Sequence, residues 1–165
     1  MKRCVPIYKA SLLFAGIAGL LLLSGLIYYL AFRTALAVPL DRLHLRPLAL
    51  GDSVNGSSFL GSLPSLIHVT AFGLLTCSLL RPSLLSAFVA GAAWASLNVL
   101  WELSCRDNQA WLRFSSELIG LDSVPTCTYD GGDIVVSVTG VALATYIASL
   151  VLKSILSSTI KEQPT

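Results

Sequence analysis

The sequence predicts an all-α membrane protein, a bundle of four transmembrane helices, and three observations predict it. Four stretches free of Asp, Glu, Lys and Arg lie between Lys9 and Arg33, Asp52 and Arg81, Arg81 and Glu102, and Asp133 and Lys153. They hold 23, 28, 20 and 19 residues, and about 20 mostly apolar residues carry a helix across the hydrocarbon core. The chain is 55% hydrophobic and only 12% charged, where soluble domains carry about 25% charged residues. Lipid also gives the backbone no outside hydrogen-bond partner, so uninterrupted apolar runs of this kind must be helical.

The first span covers residues 10–32, with Gly16, Gly19 and Gly25 as close-packing points and Tyr28 and Tyr29 near the far interface. A secretory h-region runs about 7–15 residues; this run is longer, so it reads as an uncleaved anchor. Residues 33–62 form an outer loop rich in Gly, Ser and Pro. The second span, 63–80, opens on Pro64, a residue tolerated in a first helical turn. Arg81-Pro82-Ser83 makes a tight turn into the third span, 84–103, and the fourth covers 134–152. In the connection between them, Trp111, Phe114, Leu118 and Leu121 recur at helical spacing, the pattern of a short helix lying in the outer interface.

With 165 residues, the chain forms a single integral membrane domain, 1–165. A net charge of +2 without a basic cluster interleaved with aromatics excludes a nucleic-acid partner. Lys2, Arg3, Lys9, Arg81, Lys153 and Lys161 fall on one side of the four spans, and Arg33, Arg42, Arg46, Arg106 and Arg113 on the other. Short loops near the spans weigh most in the positive-inside rule, which predicts N-in and C-in.

Polar residues inside the spans carry the functional signal. Gly91, Ala95, Asn98 and Glu102 fall on one face of the third helix, and Asp133, Ser137, Gly140, Ala144 and Ala148 on one face of the fourth. Each stripe is polar in its outer half and small in its inner half. His68 lies in the outer half of the second span. Ionisable groups at such depth are costly and face the interior or a cavity. His68, Asn98, Glu102, Asp130 and Asp133 are therefore expected to gather in one outer-leaflet hollow. His68, Glu102 and Asp133 are its candidates for acid–base chemistry, and the same set suits a divalent cation. It equally suits a pocket for a lipid headgroup. The metal and the catalytic assignment stay open, because neither His-x-x-x-His nor His-Glu-x-x-His occurs.

Three segments carry a family resemblance: Ile67-His68-Val69-Thr70-Ala71-Phe72-Gly73, Leu100-Trp101-Glu102-Leu103, and Pro125-Thr126-Cys127-Thr128-Tyr129-Asp130-Gly131-Gly132-Asp133-Ile134. Over about residues 63–152 the chain resembles a divergent VanZ-like membrane protein, and the aromatic-Asp-x-x-Asp entering a helix is the most specific part. The resemblance adds Tyr129 and Ser137 to the expected ligand-binding set. Family Gln and Arg positions fall here on Cys105 and Cys127, which implies a disulfide between them in an oxidising compartment. It further implies a bacterial inner-membrane protein of the cell envelope. The expected partner is a membrane lipid or lipid-linked envelope precursor, in a role like that in teicoplanin resistance. Two alternatives stand beside this: a membrane-embedded acid–base or metal-assisted hydrolase of a lipid phosphate, and a structural subunit of a membrane complex.

Overall fold

The computed structural model describes residues 7–32, 58–107 and 129–161. The described residues form four helices: α1 (Ile7–Phe32), α2 (Ser58–Leu79), α3 (Leu84–Asp107) and α4 (Gly131–Lys161). Each contains a stretch long and apolar enough to cross a membrane, of 22, 19, 23 and 28 residues in chain order. At a rise of 1.5 Å per residue these are roughly 28–42 Å long, which matches a hydrocarbon core of about 30 Å. The expected interfacial helix around Trp111–Leu121, and Cys127, lie outside the described residues.

Most helices overrun the expected spans by a few residues, and the two largest differences are the start of α2 and the end of α4. Helix α2 begins at Ser58 rather than at residue 63, so Pro64 sits inside it. A proline there withdraws one donor, the one that would meet the Leu60 carbonyl, and the helix continues upstream. Helix α4 runs on past Lys153 to Lys161. A charge ends an apolar stretch without ending a helix, since Lys is a good helix former.

Side-chain size is sorted inside-out relative to a water-soluble core. Ala18, Ala71, Ala87, Ala144, Ala148, Thr70 and Ser137 are fully buried, while Leu12, Leu20, Leu85, Phe88, Val135, Val138 and Tyr146 are exposed. Large apolar groups gain nothing by leaving lipid, whereas small ones let helix backbones approach and gain dispersion contact. This sorting, with the four long apolar helices, makes the chain a multi-pass membrane protein.

Helix α2 packs against all three others; α3 and α4 pack against each other, and α1 lies on α2 with a light touch on α4. Glycines sit at the crossings. A Cβ on Gly73 would lie 3.0 Å from the Cα of Gly91, and one on Gly91 would lie 3.4 Å from the Cα of Val141. One on Gly140 would lie 3.0 Å from Val69 Cβ, and one on Gly25 would lie 3.2 Å from Ile67 Cγ2. An apolar cluster of Phe14, Ala18, Leu74, Cys77, Ala87, Ala144 and Ala148 fills the half near the α2–α3 turn.

That turn is built locally. Pro82 keeps Arg81 out of the helical region and ends α2. Ser83 then caps α3: its Oγ accepts from Ser86 N at 3.0 Å, and Ser86 Oγ accepts from Ser83 N at 3.0 Å. The exchange is a reciprocal capping box that commits the chain to a tight antiparallel hairpin.

Candidate functional site

At the opposite end of the bundle from that turn, three helices bring polar groups together. Asp130 is the N-cap of α4, its Oδ1 accepting from Gly132 N at 2.8 Å, with Asp133 N donating to the Asp130 carbonyl at 3.1 Å. Asp and Asn are favoured caps because a short side chain can meet the free amides of a first turn. In a capping box the side chain three residues on, here Asp133, reaches back to the N-cap amide. Here Glu102 of α3 takes that place: Asp130 N donates to Glu102 Oε2 at 2.9 Å. Glu102 is only 6% exposed, so this bond is shielded from water.

The substitution leaves Asp133 without its capping role. Among the described residues its buried Oδ1 has no hydrogen-bond partner, and its carboxyl group lies within hydrogen-bonding reach of that of Glu102. Two carboxyl groups side by side away from water repel unless a positive charge or a donor lies between them.

One turn deeper, Asn98 Nδ2 donates to Ser137 Oγ at 2.6 Å, and that hydroxyl donates to the Asp133 carbonyl at 2.6 Å. The opposite rim carries Arg106, its guanidinium carbon 5.7 Å from the centre of the Tyr129 ring. Arg106, Glu102 and Asn98 thus form a ladder along α3, and its rungs meet Tyr129 and Asp130, just before α4, and Ser137 within it. Ser62 of α2 closes the floor. It is buried, and a Cβ on Gly132 would lie 2.7 Å from its Oγ, which is why the first turn of α4 carries no side chain there.

His68 stands elsewhere. It is exposed on α2 and lines a groove of about 230 Å³ between α2 and α3, together with Phe72, Trp94, Leu97, Asn98 and Trp101. The His68 and Phe72 rings are 5.9 Å apart, and Phe72 stacks on Trp94 at 4.8 Å. Trp94 Nε1 donates to Thr76 Oγ1 at 3.0 Å, closing the groove at its deep end. Of the residues expected in one hollow, the structure brings Glu102, Asp130, Asp133, Asn98 and Ser137 together with Tyr129 at the edge. It sets His68 in the neighbouring groove, with Asn98 bordering both. Among the described residues, no three His, Cys, Asp or Glu side chains are placed to hold a metal ion.

Sequence reasoning missed the groove aromatics and Ser62. The signal for the aromatics was present: His68 and Phe72 are four apart on α2, and Trp94 and Trp101 flank Asn98 on α3, spacings that share a face.

Fold and site together define a helical multi-pass membrane protein with a polar closure at one end. No family model matches the sequence, and no curated protein or solved structure matches it either.

Proposed function

We propose that this chain is a VanZ-like protein of a bacterial cytoplasmic membrane that receives a lipid-linked component of the cell envelope. Receipt takes place at the end of the bundle bearing Glu102, Asp130 and Asp133. The observation that carries this reading is Asp133 Oδ1. A buried carboxylate oxygen left without a donor costs on the order of 1–3 kcal/mol. The caps of the first turn, Asp130 Oδ1 on Gly132 N, the Asp130 carbonyl on Asp133 N and Glu102 on Asp130 N, do not use it. Such a group is retained where something brought from outside supplies the donor or cation. In this reading the cations near the α2–α3 turn and at both termini face the cytoplasm, and the Asp133 end faces the outer leaflet.

A Cys105–Cys127 disulfide belongs to the same proposal. Among the described residues Cys77 is the free thiol and Cys105 is not. Cys127, three residues before the α4 cap in sequence, is the partner that the family resemblance implies. The bridge would tie the connection down beside the carboxyl pair.

A structural reading has its own support, because Glu102 and Asn98 both direct hydrogen bonds from α3 to α4. Hydrolysis of a lipid phosphate has less, since Glu102 is engaged with the α4 cap and His68 lines another groove. The deciding experiment purifies wild type, Asp133→Ala and Asp133→Asn in mild detergent and identifies co-purified lipids by mass spectrometry. Retention of a lipid-linked precursor by wild type and its loss in both variants, at unchanged melting temperature, is the expected result. A lowered melting temperature with no change in bound lipid would leave only the structural role.

A further inference from the structure

The groove between α2 and α3 is separate from the carboxyl pair and has a chemistry of its own. Its lining residues fall inside the two membrane-crossing stretches Gly61–Leu79 and Leu84–Arg106. Asn98 lies four residues from Glu102, about 6 Å deeper along the helix axis. Leu97 and Trp101 at the rim are exposed on the flank of the bundle. The groove therefore opens sideways into acyl chains, and whatever fills it enters from the bilayer.

Asn98 sets what suits that occupant. Its Nδ2 gives one of its two N–H groups to Ser137, and its carbonyl oxygen accepts no hydrogen bond among the described residues. A bare amide carbonyl in hydrocarbon is costly, so an occupant that presents an O–H or N–H is favoured, and a hydroxyl can both donate to the carbonyl and accept from the second N–H. Charge narrows the choice further. No Lys, Arg, Asp or Glu is among the described lining residues, and the titratable side chain there is the imidazole of His68. A phosphate would find no permanent positive charge in the lining, whereas a neutral hydroxyl needs none. At roughly 30 Å³ per water-sized group, 230 Å³ admits about eight such groups. That is a polar end and its first few carbons, with the chain continuing over exposed Leu and Val.

We propose that this groove seats the hydroxyl end of a long-chain lipid alcohol, with the O–H donating to Asn98 Oδ1 and the adjoining carbons lying on Phe72, Trp94 and Trp101. The proposal rests on the lipid-binding reading above and refines it, since it selects the neutral alcohol over its phosphate.

The test uses the full chain in phosphatidylcholine nanodiscs and native mass spectrometry with four probes: a polyprenol, its methyl ether, its phosphate, and a diacylglycerol. The methyl ether keeps the shape and loses only the donor. The polyprenol, the diacylglycerol or both should bind, the ether about tenfold or more weakly, as one hydrogen bond near 1.4 kcal/mol requires. The two alcohols distinguish an isoprenoid from a glycerolipid source. Leu97→Trp, which fills the groove and leaves the Asn98–Ser137 bond intact, should reduce binding at least tenfold, as should Asn98→Leu. Equal binding of ether and alcohol, or full binding by Leu97→Trp, would overturn the groove assignment. Preference for the phosphate would overturn it too while sparing the lipid-linked reading; no binding by any probe would remove both.

Discussion

Replacing Glu102 separates its two parts, the acceptor for the α4 cap and the neighbour of Asp133. Glu102→Ala deletes the acceptor of Asp130 N at 2.9 Å in a side chain only 6% exposed. A hydrogen bond to a carboxylate is worth about 1.5–3 kcal/mol, and relief of repulsion against Asp133 offsets part of its loss. The expected cost is about 2 kcal/mol, close to a thirtyfold change in the folding constant. For a chain of this size that lowers Tm by about 4–8 °C. Glu102→Gln keeps a carbonyl oxygen for Asp130 N and adds an N–H for Asp133 Oδ1. It should match or exceed wild type in stability. Cys77, free and fully buried, supplies the assay: in a Cys4→Ser background, a thiol-reactive dye labels it only as the bundle opens on heating in detergent. If Gln melts as low as Ala, or Ala melts with wild type, the cross-helix cap does not support α4 as described.

Gly73→Ala drives a Cβ to 3.0 Å from a backbone atom of Gly91 and should cost about 1–3 kcal/mol by the same melting assay. Gly16→Ala and Gly19→Ala, whose added Cβ atoms meet nothing within 4 Å, should be neutral or gain up to about 1 kcal/mol from helix propensity. Maleimide labelling of unfolded protein should modify Cys4 and Cys77 without reductant, and Cys105 and Cys127 only after it. Labelling of all four without reductant would refute the bridge. Trp94→Phe removes the bond to Thr76 Oγ1 at 3.0 Å; it should lower stability by about 1 kcal/mol and open the deep end of the groove.

The four helices and the depth of the polar residues were legible because lipid imposes a single rule, charge-free length, that a sequence displays directly. The stripes on α3 and α4 were legible for a similar reason: Ala144, Ala148 and Ser137 are buried as their spacing requires. Direction around the bundle was not. Periodicity says that His68 and Phe72 share a face of α2, but not whether that face turns toward α4 or α3. Val69, Thr70 and Gly73 occupy the buried side, with Thr70 Oγ1 3.4 Å from the Gly140 carbonyl, and this turns His68 toward the groove. Helix ends were also hidden, at Ser58 and Lys161, because hydropathy measures the bilayer rather than the helix. The role of Glu102 as a cap for another helix could not be read either, since capping rules concern residues three apart, and this pair is 28 apart.

Half of the crossing stretch of α2 is enclosed by protein, against 22%, 22% and 33% for those of α1, α3 and α4. Of the three described helices that α2 packs against, two are made after it, including α4, which covers its Thr70 and Ser62. During biogenesis α2 would therefore be poorly suited to release into lipid on its own. Its four-residue link to α3 offers the remedy, insertion of the pair as one hairpin. Lengthening that link with a flexible spacer should leave the mature contacts in place and slow their assembly, exposing nascent α2 to quality-control proteolysis.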